Sequence, residues 1–207
     1  MQAEAYVTLA ARYETPLYSY AARMLGGLGD GERCLVAALA TGWRDLDGGA
    51  EPSQPETWLY SLVREGCFDE LGSRAPGTRG EDDLATAESC VEAAADASLA
   101  LVRPAHRDVL LLRDVHGLDA SALCAVTDMG QADLEHQLYR ARAEFASVFS
   151  DLPADPRCRA GRERTGCADC AERERLRSAP QRALLRLGPL PARETVRASL
   201  RSALLSA

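Results

Sequence analysis

Apolar residues recur three or four positions apart along most of this chain, which is the spacing of amphipathic helices. In the N-terminal third, this spacing predicts a helix pair in residues 3–25, a helix over Glu32–Leu46 and another over Pro55–Leu71. Pro16 suits the first turn of the second helix of the pair. The glycines of Gly26–Gly31 indicate a turn between helices, because no strand precedes them to form a phosphate-binding loop.

A more regular pattern lies between Pro104 and Arg142. An apolar run over Val109–Val115 ends at His116-Gly117, where glycine can adopt the positive φ that terminates a helix. Two further apolar runs follow, separated by Asp128-Met129-Gly130. Three short helices joined by tight turns are typical of a helix-turn-helix, whose last helix enters the major groove of DNA.

The remaining segments are a linker and a tail. Residues 73–97 contain few large apolar residues and carry Pro76-Gly77 and Glu81-Asp82-Asp83, which predicts an acidic linker with a short helix. The tail contains an arginine-rich amphipathic segment over Ala171–Leu187, and a last helix follows the break at Gly188–Pro191. The prediction is therefore an all-α chain with a helical bundle at 1–72, a linker at 73–97, a helix-turn-helix domain at 98–150 and a basic helical tail at 151–207.

Charge is divided unevenly along the chain. All 24 basic residues are arginine, which excludes a P-loop lysine and a Schiff-base lysine. Residues 1–155 carry 12 arginines and 26 carboxylates, a net charge of −14, whereas residues 156–207 carry 12 arginines and 5 carboxylates, a net charge of +7. Duplex-binding domains are usually basic. Either net charge says little about local patches here, or the basic tail folds back onto the acidic body.

Two blocks of the sequence resemble the extracytoplasmic-function family of bacterial RNA polymerase sigma factors. The first resembles the promoter-melting domain (region 2) of that family, and the second resembles its C-terminal DNA-binding domain (region 4). The two blocks occur in the family's order, and together they cover roughly residues 5–148. The residues that carry the resemblance are Arg12-Tyr13, Leu17-Tyr18, Tyr20-Ala21, Asp30, Glu32, Trp43, Trp58-Leu59-Tyr60, Arg64 and Asp69-Glu70-Leu71, then Pro104, Val109–Arg113, Gly117-Leu118 and Leu138–Arg142.

The resemblance implies a non-enzymatic protein that binds core RNA polymerase and promoter DNA, with an anti-sigma factor or another regulatory protein as a possible partner. In the first domain it implies that Trp58 and Tyr60 stack on unpaired bases of the melted strand and that Arg64 contacts a phosphate. Trp58 also lies on one helical face with Leu62 and Cys67, so core packing explains it equally well. In the recognition helix, the residues implied to contact bases and phosphates are Gln131, His136, Gln137, Arg140 and Arg142.

The sequence departs from the family at contact positions. Arg33, Val36 and Ala37 occupy positions where the polymerase-binding helix of the family usually carries an acidic residue, a glutamine and a glutamate. Asp133, Glu135 and Gln137 occupy recognition-helix positions where the family usually presents threonine and basic residues, and carboxylates that face phosphates lower the affinity for DNA. Two hypotheses follow. The chain is a sigma factor that initiates transcription, or it is a sigma-like regulator that binds a sigma factor, an anti-sigma factor or polymerase without initiating transcription.

The seven cysteines fall into two groups. In the tail, Cys158, Cys167 and Cys170 have a spacing that suits zinc, and Glu163 is the candidate fourth ligand because all three histidines lie upstream. The segment from Glu163 to Cys170 also resembles the His-x3-Cys-x2-Cys element of zinc-containing anti-sigma domains, with glutamate in place of histidine. Zinc, a redox-active dithiol and ordinary thiols all remain open. The other four stand alone on apolar helical faces and are predicted to be small buried hydrophobes: Cys34, Cys67, Cys90 and Cys124.

Several classes of protein are disfavoured by the sequence. No apolar run is long enough to span a bilayer, and the N-terminal segment has neither the basic start nor the apolar core of a signal peptide, so we expect a cytoplasmic protein with no membrane partner. The chain offers no pairing of a nucleophile with a base, no glycine-rich loop after a strand and only three scattered histidines, so we expect no enzymatic activity.

Overall fold

The computed structural model describes residues 3–50, 52–74, 89–152 and 168–192, together with positions 198, 199 and 202. Every regular element within these ranges is a helix and none is a strand, which confirms the all-α prediction. A single π-helical turn, Leu111–Val115, continues the fifth helix. The helices are α1 (Ala3–Leu25), α2 (Leu28–Asp47), α3 (Pro55–Ser73), α4 (Cys90–Leu101), α5 (Pro104–Leu110), α6 (Ala120–Thr127), α7 (Gln131–Asp151), α8 (Ala168–Leu176) and α9 (Gln181–Leu184).

The chain divides into two compact units, each of which is described separately. Unit 1 contains α1, α2, α3 and α6, and unit 2 contains α4, α5 with its π-helical turn, α7, α8 and α9. In unit 1, α1 packs against both α2 and α3, and α3 also packs against α6. In unit 2, α7 packs against α4 and α5, and α8 and α9 pack against α4. No helix in the described ranges has the length and apolar character needed to cross a membrane.

The predicted helix pair in residues 3–25 is wrong, because the structure has one continuous helix there. Pro16 lies inside α1, where its missing N–H removes one backbone hydrogen bond. The helix continues because apolar side chains before and after the proline enter the same core. The fully buried apolar side chains of α1 are Tyr6, Ala10, Leu17, Tyr18, Tyr20, Ala21, Ala22 and Met24.

The turn between α1 and α2 is formed by glycine, as predicted, but α2 begins at Leu28 and so is four residues longer at its start than predicted. Gly26 adopts a φ of 75°, in the left-handed region that glycine occupies without steric cost. Further along, Gly31 allows the two helices to approach closely. A Cβ atom on Gly31 would lie 2.6 Å from the Cα of Ala22 and 2.8 Å from its Cβ.

A buried carboxylate joins this turn to the end of α3. Asp30 is 4% exposed and accepts a hydrogen bond from Nη2 of Arg74 at 2.7 Å. It also forms an ion pair with Arg33, one turn along α2. Nη1 of Arg74 donates at 2.8 Å to the carbonyl of Leu25, one of the α1 carbonyls that the helix itself cannot satisfy. Arg74, directly after α3, therefore stabilises both the end of α1 and the buried charge near the start of α2.

The core of unit 2 is built around α7. Phe145 and Phe149 are fully buried and stack with ring centroids 5.8 Å apart. Arg173 of α8 lies over the Phe149 ring at 5.9 Å and donates a hydrogen bond to the carbonyl of Leu152. The predicted break at Gly117 is confirmed, with a φ of 73°. The third helix of the predicted helix-turn-helix, α7, extends to Asp151, because these aromatic residues continue its buried face beyond Arg142.

A polar cluster joins the start of α5 to the middle of α7. The backbone N–H and Nε of Arg103 donate to the two carboxylate oxygens of Glu144 at 3.1 and 2.9 Å, and Nδ1 of His106 contacts the same carboxylate. Burial acts to raise the pKa of Glu144, but the hydrogen bonds from Arg103 and His106 outweigh it, so the net shift of that pKa is downward. The charged form of Glu144 therefore stabilises unit 2.

Two predicted segments lie partly outside the described ranges. α4 begins at Cys90, within residues 73–97, where the sequence indicates a linker with a short helix. The arginine-rich segment over Ala171–Leu187 forms two helices, α8 and α9, because the chain turns between them. Of the last predicted helix, positions 198, 199 and 202 are described, and all three are helical.

We expect Gly31→Ala to destabilise unit 1, because the new Cβ would overlap the backbone of Ala22. Overpacking of this kind costs about 1–3 kcal/mol. The matched control is Gly72→Ala in α3, where a Cβ meets nothing within 4 Å, so the free energy of unfolding should stay unchanged or rise by up to about 1 kcal/mol. Urea denaturation followed by tryptophan fluorescence measures unit 1 alone, since Trp43 and Trp58 are the only tryptophans. Equal stability of both variants would contradict the close approach.

We expect unit 2 to lose stability as the pH falls below the ordinary glutamate pKa of 4.5, because the folded state lowers the pKa of Glu144 and its stabilising charge is lost on protonation. Glu144→Gln should lower the free energy of unfolding by about 1.5–3 kcal/mol at pH 7, the range for hydrogen bonds to charged groups. This deficit should shrink as the pH falls from 4.5 through the lowered pKa of folded Glu144, because the wild-type carboxylate becomes protonated over this range. Thermal unfolding by circular dichroism between pH 3 and 7 measures the difference, and a deficit that does not vary with pH would contradict this role.

Candidate nucleic-acid interface

The helix predicted to read DNA is α7, which follows a three-residue turn after α6. Asp128 in this turn has a φ of 56°, a left-handed conformation that aspartate tolerates better than most residues. Gly130 precedes α7 in an extended conformation. One face of α7 is buried at helical spacing against α4 and α5, so the opposite face is left to solvent. The buried residues are Leu134, Leu138, Ala141, Phe145 and Phe149.

The exposed face of α7 contains two of the predicted DNA contacts. His136 and Arg140 are exposed, and neither makes a hydrogen bond or an ion pair with any residue of the described ranges. Between them lies Tyr139, which is 75% exposed. The sequence analysis did not select Tyr139 as a site residue. Its position next to Leu138, which belongs to the apolar face of the helix, nevertheless indicated that Tyr139 faces outward. We call His136, Tyr139 and Arg140 the α7 patch.

The other predicted contacts on α7 are held by neighbours within unit 2. Nε2 of Gln131 donates to Glu135 at 3.0 Å, and Nε2 of Gln137 donates to the carbonyl of Ala105 at 3.1 Å. Arg142 forms a bidentate pair with Asp114, with distances of 2.9 Å from Nε and 2.6 Å from Nη2. This hydrogen bonding raises the pKa of Arg142 and neutralises its charge locally.

The α7 patch has carboxylates on either side of it. Asp133 and Glu135 are exposed, as the sequence predicts for this part of the recognition helix. With Arg142 paired, Arg140 is the remaining fixed positive charge on the exposed face, so the two carboxylates outweigh it. Non-specific attraction to a phosphate backbone is therefore weak along this helix.

The residues predicted to stack on melted DNA lie in unit 1, and they differ in exposure. Trp58 is half-buried and packs edge-on against Tyr6, with centroids 6.3 Å apart. Tyr60 is 2% exposed and packs edge-on against Tyr20 at 6.0 Å. Burial, with smaller contributions from Glu56 and Tyr13, raises the pKa of Tyr60. The Tyr60 ring has no face available to a base in this conformation.

The predicted phosphate contact of the same helix also has a partner inside unit 1. Arg64 lies over the ring of Phe68, one turn along α3, with the guanidinium carbon 4.8 Å from the centroid. On α2, Arg33 is 62% exposed while it pairs with Asp30, and Ala37 is exposed beside half-buried Val36. Arg33 and Arg64 therefore each have a partner within unit 1, and Ala37 is open to solvent. The roles of these positions in binding stay predictions.

The predicted tail zinc site lies mostly outside the described residues, because Cys158, Glu163 and Cys167 are not described. Cys170 is in α8, where it is half-buried. Within the described part of the chain, no three histidine, cysteine, aspartate or glutamate side chains form a group that could hold a metal ion. Zinc binding therefore stays a prediction.

The prediction that the other four cysteines are buried is correct for two of them, and packing between helices brings three of them close to a second cysteine that is distant in sequence. Cys34 and Cys67 are buried, as predicted, but their sulfurs lie 3.5 Å apart between α2 and α3. Cys90 is half-buried, with its sulfur 3.9 Å from that of Cys170. Cys124 is half-buried in α6.

Comparisons with known proteins bear on the fold of this chain. No family model matches the sequence, and no curated protein matches it either. The structure is similar to that of the sigma factor RpoE from Bartonella quintana, solved in complex with the anti-sigma factor NepR, with a TM-score of 0.53 and 14% identity. The similarity covers 70% of this chain and 96% of that chain. The chain therefore has an all-α fold like that of a sigma factor.

Proposed function

We propose that this protein is a sigma factor of the extracytoplasmic-function type, which binds core RNA polymerase and directs it to promoter DNA. The observation that carries the proposal is the extent of the fold similarity, which spans 96% of the sigma factor chain. An isolated helix-turn-helix occurs in many unrelated regulators and would support only DNA binding. Similarity that covers 70% of this chain and 96% of the sigma factor chain supports the combination of polymerase binding with promoter recognition.

In this proposal the α7 patch reads the promoter. His136 and Arg140 lie one turn apart on the exposed face, where both could reach a base edge or a phosphate in the major groove. Tyr139 adds a large ring with a polar tip. Because Asp133 and Glu135 oppose non-specific attraction, the affinity of the isolated protein for DNA should be low. Polymerase would supply the remaining contacts in the holoenzyme.

The strand-opening role falls to unit 1. Trp58 is the better candidate for stacking on an unpaired base, since its ring is half-buried whereas Tyr60 is buried. Tyr60 instead contributes to the core that holds α3 in place. Alanine substitution of a base-stacking aromatic residue typically costs about 1–3 kcal/mol per base.

The second hypothesis, a sigma-like regulator that does not initiate transcription, is favoured by a different observation. Arg142 is neutralised by Asp114, and the exposed face of α7 carries more acidic than basic residues. Such a surface suits a protein partner as well as it suits DNA. Size-exclusion chromatography with core RNA polymerase tests one form of this hypothesis, since stoichiometric co-elution would exclude a regulator that binds only sigma or anti-sigma factors. A regulator that binds polymerase is distinguished by run-off transcription, in which it would produce no transcript.

We expect Arg140→Ala to weaken promoter binding by the holoenzyme and Glu135→Lys to strengthen it, because the first removes and the second adds a positive charge facing the phosphates. Each change should shift the slope of log affinity against log salt by about one, in opposite directions. The control is Arg182→Ala, an exposed arginine of α9 in the same unit, which should leave the slope unchanged. Gel-shift titration over a series of salt concentrations measures all three. Identical slopes for all of the variants would show that α7 is not in the groove.

A further inference from the structure

The contact between Cys90 and Cys170 joins two helices that are remote in sequence. Cys90 lies at the start of α4, directly after Ser89, whose side chain accepts a hydrogen bond from the N–H of Glu92 and caps the helix. Cys170 lies in the first turn of α8. The two sulfurs are 3.9 Å apart, with Cys170 as the donor of an S–H···S contact across 80 residues of chain. α4 and α8 are already packed against each other in unit 2.

We propose that Cys90 and Cys170 form a redox-active thiol pair, which a hydroperoxide converts to a disulfide that locks α8 onto α4. This inference does not depend on the proposed function. A disulfide needs a sulfur–sulfur distance of about 2.05 Å, so the two side chains must close a gap of about 2 Å. Rotation about side-chain bonds can contribute to this closure because both cysteines are half-buried rather than tightly enclosed.

Position favours Cys90 as the residue that reacts first. Cys90 is the first residue of α4, whereas Cys170 is the third residue of α8 and donates its S–H toward Cys90, so the stabilisation of a thiolate by a helix N-terminus acts most directly on Cys90. The Cys90 thiolate attacks the peroxide oxygen and the O–O bond breaks. The departing hydroxide or alkoxide takes up the proton that the Cys90 thiol lost, so the products are a sulfenic acid and one water or alcohol molecule. The Cys170 thiolate then attacks the sulfenic sulfur, forming the S–S bond and releasing hydroxide, which leaves as water. Two thiols are oxidised and one peroxide is reduced.

The second cysteine pair of the chain provides an internal comparison. Cys34 and Cys67 have sulfurs only 3.5 Å apart, yet both are buried in the core of unit 1. Oxidation of a thiol depends on its access to the oxidant as well as on its charge. The half-buried pair should therefore react in the native protein, whereas the buried pair should not.

The disulfide would reinforce an attachment that other contacts already make. Arg173 in α8 donates to the carbonyl of Leu152 and lies over Phe149, at the C-terminal end of α7. Closing the chain between positions 90 and 170 restricts the unfolded state, so the oxidised protein should unfold at a higher temperature than the reduced protein. The oxidation state would thereby control how firmly the tail is held.

The test uses the full-length reduced protein, treated with a small excess of hydrogen peroxide with and without a chelator, then alkylated and digested with trypsin. The sequence predicts that Cys90 falls in a peptide of residues 80–107, and that Cys167 and Cys170 share a peptide of residues 165–173. We expect a crosslink between these two peptides in the wild type and in Cys167→Ser. The crosslink should be absent from Cys170→Ser and Cys90→Ser, and the wild type should show a higher Tm after oxidation.

Three results would overturn the proposal. A crosslink that persists in Cys170→Ser would assign the reaction to Cys167. A disulfide between Cys34 and Cys67 in place of the predicted one would show that access does not control the reaction. Thiols that resist peroxide until the chelator is added, together with one zinc per chain by atomic emission, would show that the cysteines are metal ligands.

Discussion

Burial of one face of α7 determines which of its side chains can meet a partner. Leu134, Leu138 and Phe145 enter the core of unit 2, and this packing leaves Tyr139 and Arg140 outside. Apolar burial contributes about 25 cal/mol for each Å² removed from water, so rotation of the helix about its axis would be costly. The charges that α7 exposes to solvent thus follow from core packing, and that packing cannot change without disrupting unit 2.

The same constraint explains why residues of suitable type do not all serve as contacts. An arginine on a recognition helix is an obvious candidate for DNA binding, but Arg142 lies close enough to Asp114 for a bidentate pair that fixes the π-helical turn to α7. Tyr60 has the chemistry of a base-stacking residue, yet it stabilises the core of unit 1. In both cases an internal structural contact occupies the group that the functional role would need.

Much of the fold could be predicted from periodicity, whereas much of the site could not. The spacing of apolar residues indicated α2, α3 and the three segments over Pro104–Arg142, because each depends on neighbours within one or two turns. Pro16 was misjudged because tertiary packing compensated for its lost hydrogen bond. The pairs Arg142 with Asp114 and Cys90 with Cys170 join residues 28 and 80 positions apart, and no local pattern reveals contacts at such separations.

The proposed function requires that this sigma-like fold starts transcription in spite of its altered contact residues. Run-off transcription tests this claim most directly, with purified reduced protein, core RNA polymerase of the same organism and a pool of genomic promoter fragments. If the protein is a sigma factor, discrete transcripts will appear only when it is added. Failure to produce any such transcript, under conditions where a known sigma factor is active with the same core enzyme, would contradict it.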